Sequence, residues 1–325
     1  MQFNLIKLQK WQGGNMLLKQ VLELFEVLDD PKASGQMVKE IFESRFDIKV
    51  YVKKVEGEQG STDFVKIVIP GKNGKINGGS AKTLGIIGRL GGLGARPEVI
   101  GYVSDGDGAL SALSAALKLA DMNKKGDVLE GDVIITTHIC PDAPTQEHYP
   151  VPFMGSPVDM EQMNETEVLE DMDAILSIDT TKGNEIINVN GIAISPTVKE
   201  GYILPVSDTI LQVLKRVTGK KPNVFALSIQ DITPYSNNLC HINSILQPAV
   251  STSSPVIGVA ITTEVPVAGC ATGASHFADI EEAARFAVEV AKDYGKELCK
   301  FYDEENYKKL LEYYGNCKQF QTRGF

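Results

Sequence analysis

Four histidines serve the whole chain of 325 residues, and each lies beside Gly, Pro, Asn or acidic residues near a strand end: His138 in "VIITTHICPDAPT", His148 in "TQEHYPVPF", His241 in "SNNLCHINS" and His276 in "CATGASHFAD". Imidazole is the commonest metal ligand and the usual general base near neutral pH. Carboxylates stand at comparable places. Asp105 and Asp107 end one strand in "YVSDGDGA", Asp142 follows another in "THICPDAPTQ", and Asp179 ends a third in "LSIDTTKG". In an open parallel sheet, ligands bind outside the carboxyl ends of the strands. Carboxylates and imidazoles converging there could hold a divalent cation, and zinc favours this mix of oxygen and nitrogen ligands. Each residue alone also has a plainer reading. Asp107 could cap a helix, Asp179 could stabilise a turn, and His276 could orient a helix start. The repetition at successive strand ends is what favours chemistry.

Two other chemistries are less well supported. The Gly-rich "GIIGRLGGLGAR" fits neither GxGxxG nor GxxxxGK[ST], and Pro97 follows it where a phosphate site needs a helix start. Cys140 and Cys270 stand near histidines as possible nucleophiles, but match no family-specific cysteine signature.

The elements that must position these residues alternate. Two helices open the chain, broken at "DDPKASG". The stretches "IKVYVKKV", "DFVKIVIP", "TLGIIG" and "EVIGYVSD" read as strands, and a helix runs from Gly108 to Met122. "GDVIITTHIC", "AILSID", "NVFALSIQ" and "SPVIGVAITT" read as strands, and "EIINVNGIAI" as a hairpin turning at Asn190–Gly191. Helices are predicted over "DMEQMNETEVLEDM", "SDTILQVLKRVTG" and "DIEEAARFAVEVAKDYGKEL", the last with Asp279 and Glu282 as a capping box. Strands alternating with helices predict an α/β fold, and near-continuous apolar strands predict a sheet covered on both faces. Residues 16–325 form one domain in this reading, with the Gly-rich segment 71–98 inside it. Residues 1–15 form an N-terminal extension, and Met16 is a candidate start.

The bulk numbers exclude several classes. A net charge of −10 argues against a nucleic-acid partner. No apolar run reaches the length of a membrane span. Five cysteines, without CxxC spacing, argue against a disulfide framework and a structural zinc ribbon. No signal-peptide pattern is visible, so a cytoplasmic location is expected.

The order of motifs resembles the di-zinc aminopeptidases of the glutamyl and tetrahedral type over most of residues 17–295. "SDGDGALSALSAALKLADM" looks like their bridging-Asp motif and its helix, "AILSIDTTKGNE" like a strand carrying a further ligand, and "GCATGASHFADIEEAARFAVEVAK" like their end motif. The chain also resembles, through "THICPDAP" and "DITPY", an uncharacterised bacterial and archaeal family of unknown function. The peptidase resemblance implies a three-layer α-β-α sandwich with a mostly parallel mixed sheet, a zinc-peptidase-like arrangement. It implies Asp107, Asp179 and His276 as zinc ligands, and it implies a homo-oligomer. Two of its motifs are changed. Arg89 and Gly91 stand where an early His-x-Asp belongs, and "THICPDAP" lacks the Glu-Glu pair. His138 is then the candidate fourth ligand, and His138 or Asp142 the proton acceptor. Arg89 would hold a substrate carboxylate in a fork-like pair, and His241 is placed to line the crevice.

The function expected is metal-dependent hydrolysis of a peptide or amide bond, with a divergent active site. The alternative is a non-catalytic protein that binds a small molecule or peptide on the same scaffold.

Overall fold

The computed structural model describes residues 16–89, 102–141, 143–147, 153–266 and 275–324. Two short helices come first, α1 (Leu18–Leu28) and α2 (Gly35–Glu43), followed by β1 (Val50–Gly57), β2 (Gly60–Ile69) and β3 (Leu84–Gly88). Then come α3 (Asp107–Lys124), β4 (Val133–Ile139), the two-residue strands β5 (Thr145–Gln146) and β6 (Phe153–Met154), α4 (Met160–Glu167) and β7 (Ala174–Thr181). The remainder is β8 (Gly191–Ile194), β9 (Thr197–Lys199), β10 (Tyr202–Leu204), α5 (Asp208–Thr218), β11 (Val256–Thr262), α6 (Phe277–Tyr294) and α7 (Glu304–Tyr314).

Nine strands make one mixed sheet in the order β1-β2-β4-β3-β7-β11-β9-β10, with β8 on the far half of β11. Its centre, β4-β3-β7-β11, is parallel, and both margins are antiparallel. Every residue of β3, β4 and β11 is buried, which is why these segments carry no polar alternation. One face packs against α1, α2, α3, α5 and α6 through a large apolar cluster including Ile86, Leu113, Leu176, Ile178 and Phe286. The other face carries a second cluster, with Ile87, Ile134, Ile175, Phe225 and Leu246. Its cover is thinner: α4 and a long irregular segment with short 3-10 turns at 230–232, 235–237 and 247–251. This is the expected three-layer α/β sandwich with a mixed sheet. Among the described residues no helix is long and apolar enough to cross a membrane.

Local expectations differ in five places; in the described part of "EVIGYVSD", residues 104–106 form a 3-10 turn and not a strand. "NVFALSIQ" is not a strand; it meets the sheet only through the isolated bridge Ile194↔Val224, and Phe225 fills the second core instead. Only Gly191–Ile194 of the expected hairpin is a strand, and it pairs with β11, because that strand offers an open edge there. The helix expected over 159–172 stops at Glu167, and Met172 turns inward, fully buried. Finally, α6 starts at Phe277 with His276 as its N-cap, so Asp279 lies inside the first turn and forms no capping box.

Candidate functional site

Sheet register assembles the site. Gly88 on β3 is paired with Thr137 on β4 and with Ile178 on β7. The Arg89 amide continues this pattern, donating to the Ile178 carbonyl at 2.8 Å. The next residues along the three strands are therefore His138, Arg89 and Asp179, side by side. Residues two apart share a face. Ile87, one step before Arg89 on that face, belongs to the second core, as do Ile134 and Ile175 on the neighbouring strands. The row thus lies under α4 and the irregular segment.

Two side chains from α4 close over it. Glu167 Oε1 is 2.6 Å from His138 Nδ1, and Glu167 Oε2 is 3.1 Å from Arg89 Nη1. Arg89 Nη2 also donates to Asn164 Oδ1, and the Asn164 amide donates to the Gln247 carbonyl at 3.1 Å. All of these side chains are buried. Against an ionised Glu167, His138 must carry its proton on Nδ1, which leaves Nε2 as the basic nitrogen. Across β2, Phe64 packs on the imidazole with ring centroids 5.2 Å apart. Asp179 accepts the Thr180 amide at 2.7 Å and the Ser244 hydroxyl at 3.3 Å. Burial pushes its carboxyl up to about 7, against the opposing pull of the Thr180 amide, Arg89, Ser244 and His138.

A cavity of about 970 Å³ opens above this row, between α4, the 234–251 segment and the turn at 321–323. Its wall includes His138, Cys140, Asn164, Tyr235, Ser244 and Gln247. Arg89, Glu167 and Asp179 stand behind the wall. The cavity lies at the carboxyl ends of the parallel strands, where a ligand is expected.

Of the other described residues singled out in the sequence, Asp105 also lines the cavity, and the rest lie elsewhere. Asp107 is fully buried at the start of α3, against the opposite face of the sheet. Lys182 Nζ lies 3.0 Å from its Oδ2, while Ser275 Oγ at 2.5 Å and Tyr102 Oη at 3.2 Å donate to its Oδ1. His276 has its side chain half exposed and faces Asp279, Nδ1 to Oδ2 3.5 Å. His241 ties the irregular segment together, with Nε2 2.9 Å from the Thr233 carbonyl and Nδ1 3.0 Å from that of Leu239, and it packs on Tyr235. It is not part of the cavity wall. Arg89 is only 1% exposed and is held by Glu167 and Asn164, so its fork is not offered to a substrate carboxylate. Asp142, His148 and Cys270 lie outside the described residues.

The zinc implied by the resemblance does not fit these donors. Asp107, Asp179, His138 and His276 are divided between the two faces and the rim, and Asp107 already holds a cation. Among the described residues no group of three or more His, Cys, Asp or Glu is placed to hold a metal ion. Sequence reasoning also missed Glu167 and Asn164 over the row and Lys182 on the other face. Glu167 carries a signal: Met160, Met163, Asn164 and Glu167 follow the i, i+3, i+4, i+7 stripe of a buried helix face. Lys182 carries none, since "TTKG" reads as an ordinary turn.

A family model described as a protein of unknown function (DUF1177) matches residues 53–324. No curated protein matches the chain. Among solved structures, the glutaminyl cyclase of an Acidobacteriales bacterium is similar at 12% identity and a TM-score of 0.48, covering 91% of this chain and 100% of that one. So loose a likeness carries no chemistry from one chain to the other.

Proposed function

We propose, for a chain that belongs to the DUF1177 family of proteins of unknown function, that it binds a small polar molecule or short peptide in the cavity above His138 and acts on it by proton transfer. The observation that carries this reading is the 2.6 Å contact between Glu167 and His138 Nδ1, on an imidazole that also lines the cavity. A buried carboxylate on one ring nitrogen fixes the tautomer and orientation of the ring and leaves the other nitrogen open to a proton. The reaction class we assign is hydrolysis of an amide or peptide bond. His138 Nε2 takes a proton from the attacking water and returns it to the leaving nitrogen. Cavity-lining Ser244 and Tyr235 offer hydroxyls to the substrate, and burial keeps the Tyr235 phenol protonated. This reading assigns no step to zinc, because among the described residues the donors assigned to it do not converge.

A second reading, binding without turnover, is favoured by one specific observation. The Arg89 guanidinium is matched by Glu167, and burial pushes the Asp179 carboxyl towards its neutral form, so the row could serve only to hold the cavity in shape. One experiment separates the two. Wild type and His138→Gln are screened against amino-acid amides and dipeptides for binding by calorimetry and for turnover by amine release. Turnover that falls by about 10²-fold or more in His138→Gln, with binding retained, supports proton transfer. Binding without turnover in wild type supports the second reading. Undiminished turnover in a folded His138→Gln protein sinks the role given to His138.

A further inference from the structure

On the α3 side of the sheet, Asp107 and Lys182 form a second buried ionic arrangement that the proposed reaction does not use. We infer that Lys182 is a tethered counter-ion standing at Asp107 in the place of a divalent cation, and that this side of the sheet is built to work without metal. The inference does not rest on the reading of the cavity.

Asp107 is 0% exposed, and the Lys182 side chain is 5% exposed. A buried carboxylate must be neutralised, paired or coordinated. Burial pushes the Asp107 carboxyl up, and Lys182, Ser275 and Tyr102 all oppose that shift. Three donors meet its two oxygens, so the anion is satisfied by the protein itself. The two residues are also fixed in place. Gly108 seats the start of α3 so tightly on the sheet that a Cβ there would lie 2.6 Å from the Ile178 carbonyl oxygen and 2.7 Å from that of Arg89. Strand alternation turns Thr180 and Lys182 to the face opposite Asp179. Thr180 Oγ1 donates to the Ser104 carbonyl at 2.8 Å, which ties the end of β7 to the turn leading into α3. Immediately after Lys182, Gly183 has φ +45°, and a Cβ on it would meet the Val265 carbonyl oxygen at 2.3 Å. The backbone therefore aims the lysine stem at Asp107 with little freedom. The start of α3 adds its dipole to the field that favours the carboxylate anion.

The test removes the tether and offers cations from solution. Lys182→Ala leaves a buried carboxylate beside the space of the lost side chain, and propylammonium replaces the lost atoms. Melting temperature is followed for wild type, Lys182→Ala and Lys182→Met/Asp107→Asn, each with propylammonium, zinc or manganese added, and bound metal is counted on the same samples. The inference expects Lys182→Ala to melt lower than wild type and to recover with propylammonium or a divalent cation. Wild type and the double variant should respond to neither. Should Lys182→Ala fail to fold while the double variant folds, the unpaired carboxylate is the cause, and the inference stands. It is overturned by wild-type protein that binds a stoichiometric divalent cation lost in Asp107→Asn, by a Lys182→Ala protein that no cation stabilises, or by a double variant that also fails to fold.

Discussion

Glu167 Oε1 lies 2.6 Å from His138 Nδ1 while its other oxygen lies 3.1 Å from Arg89, so one carboxylate from α4 orients an imidazole and neutralises a guanidinium that are neighbours on adjacent strands. All three side chains are almost entirely buried. Position and tautomer of the only cavity-lining imidazole among the described residues thus depend on the last residue of one short helix.

Glu167→Gln should therefore be costly. The substitution keeps the shape and leaves the buried Arg89 cation without its anion. Removing one partner of a buried ion pair costs about 3–5 kcal/mol. Urea denaturation should show a lower midpoint with an unchanged slope, and Arg89→Met in the same background should recover part of the loss. A loss below about 1 kcal/mol would mean that the pair is solvated and the site looser than described.

Asp179 should give the protein a pH dependence of definite sign. Its folded-state carboxyl stands at about 7, above the value near 3.9 of an unfolded Asp. The folded state therefore binds the proton more tightly. Its contribution is fully present below about pH 4 and is lost as pH rises towards about 7. Three pK units correspond to roughly 4 kcal/mol. Asp179→Asn should flatten stability between pH 4 and 8 and make the protein more stable than wild type at pH 8, measured by melting across pH. An unchanged slope in the variant would assign the dependence to another group.

Gly183→Ala should destabilise the turn that aims Lys182. The left-handed φ of +45° and the 2.3 Å approach of a Cβ to the Val265 carbonyl oxygen both oppose a side chain. Strain of this kind costs about 1–3 kcal/mol. The loss should be less than additive with that of Lys182→Ala, because both substitutions act on the same ion pair. Full additivity in denaturation would show that the turn and the pair are independent.

Gln247 anchors the cavity wall. Its side-chain oxygen accepts the Tyr235 amide at 3.2 Å, and its side-chain nitrogen donates to the Thr233 carbonyl at 2.8 Å. Gln247→Ala leaves the Tyr235 amide without its acceptor, at about 1–3 kcal/mol, while the Thr233 carbonyl keeps His241 Nε2 at 2.9 Å. Amide exchange at Tyr235 should quicken about tenfold or more, while exchange in β4 stays nearly unchanged. Equal acceleration in both would mean global rather than local loosening.

Much of this was legible in the sequence, for a physical reason. Apolar strands and amphipathic helices announce a covered sheet locally, and the strands that carry His138, Arg89 and Asp179 were identified from their own residues. That His138 and Asp179 belong near a strand-end crevice follows from the same reading, and Arg89 joins them only through the peptidase resemblance. Their roles did not follow. Strand alternation sends Asp179 to one face and Lys182 to the other, and register alone places Arg89 between His138 and Asp179. Chain topology delivers Glu167 and Asn164 over that row, and it sets Asp107 against Lys182 across 75 residues of chain. Whether a charged side chain meets solvent, a ligand or another buried charge is decided by contacts between distant segments. The sequence by itself determined the fold class and the chemistry-bearing strand ends; the tertiary structure decided which charges neutralise one another and left His138 facing the cavity.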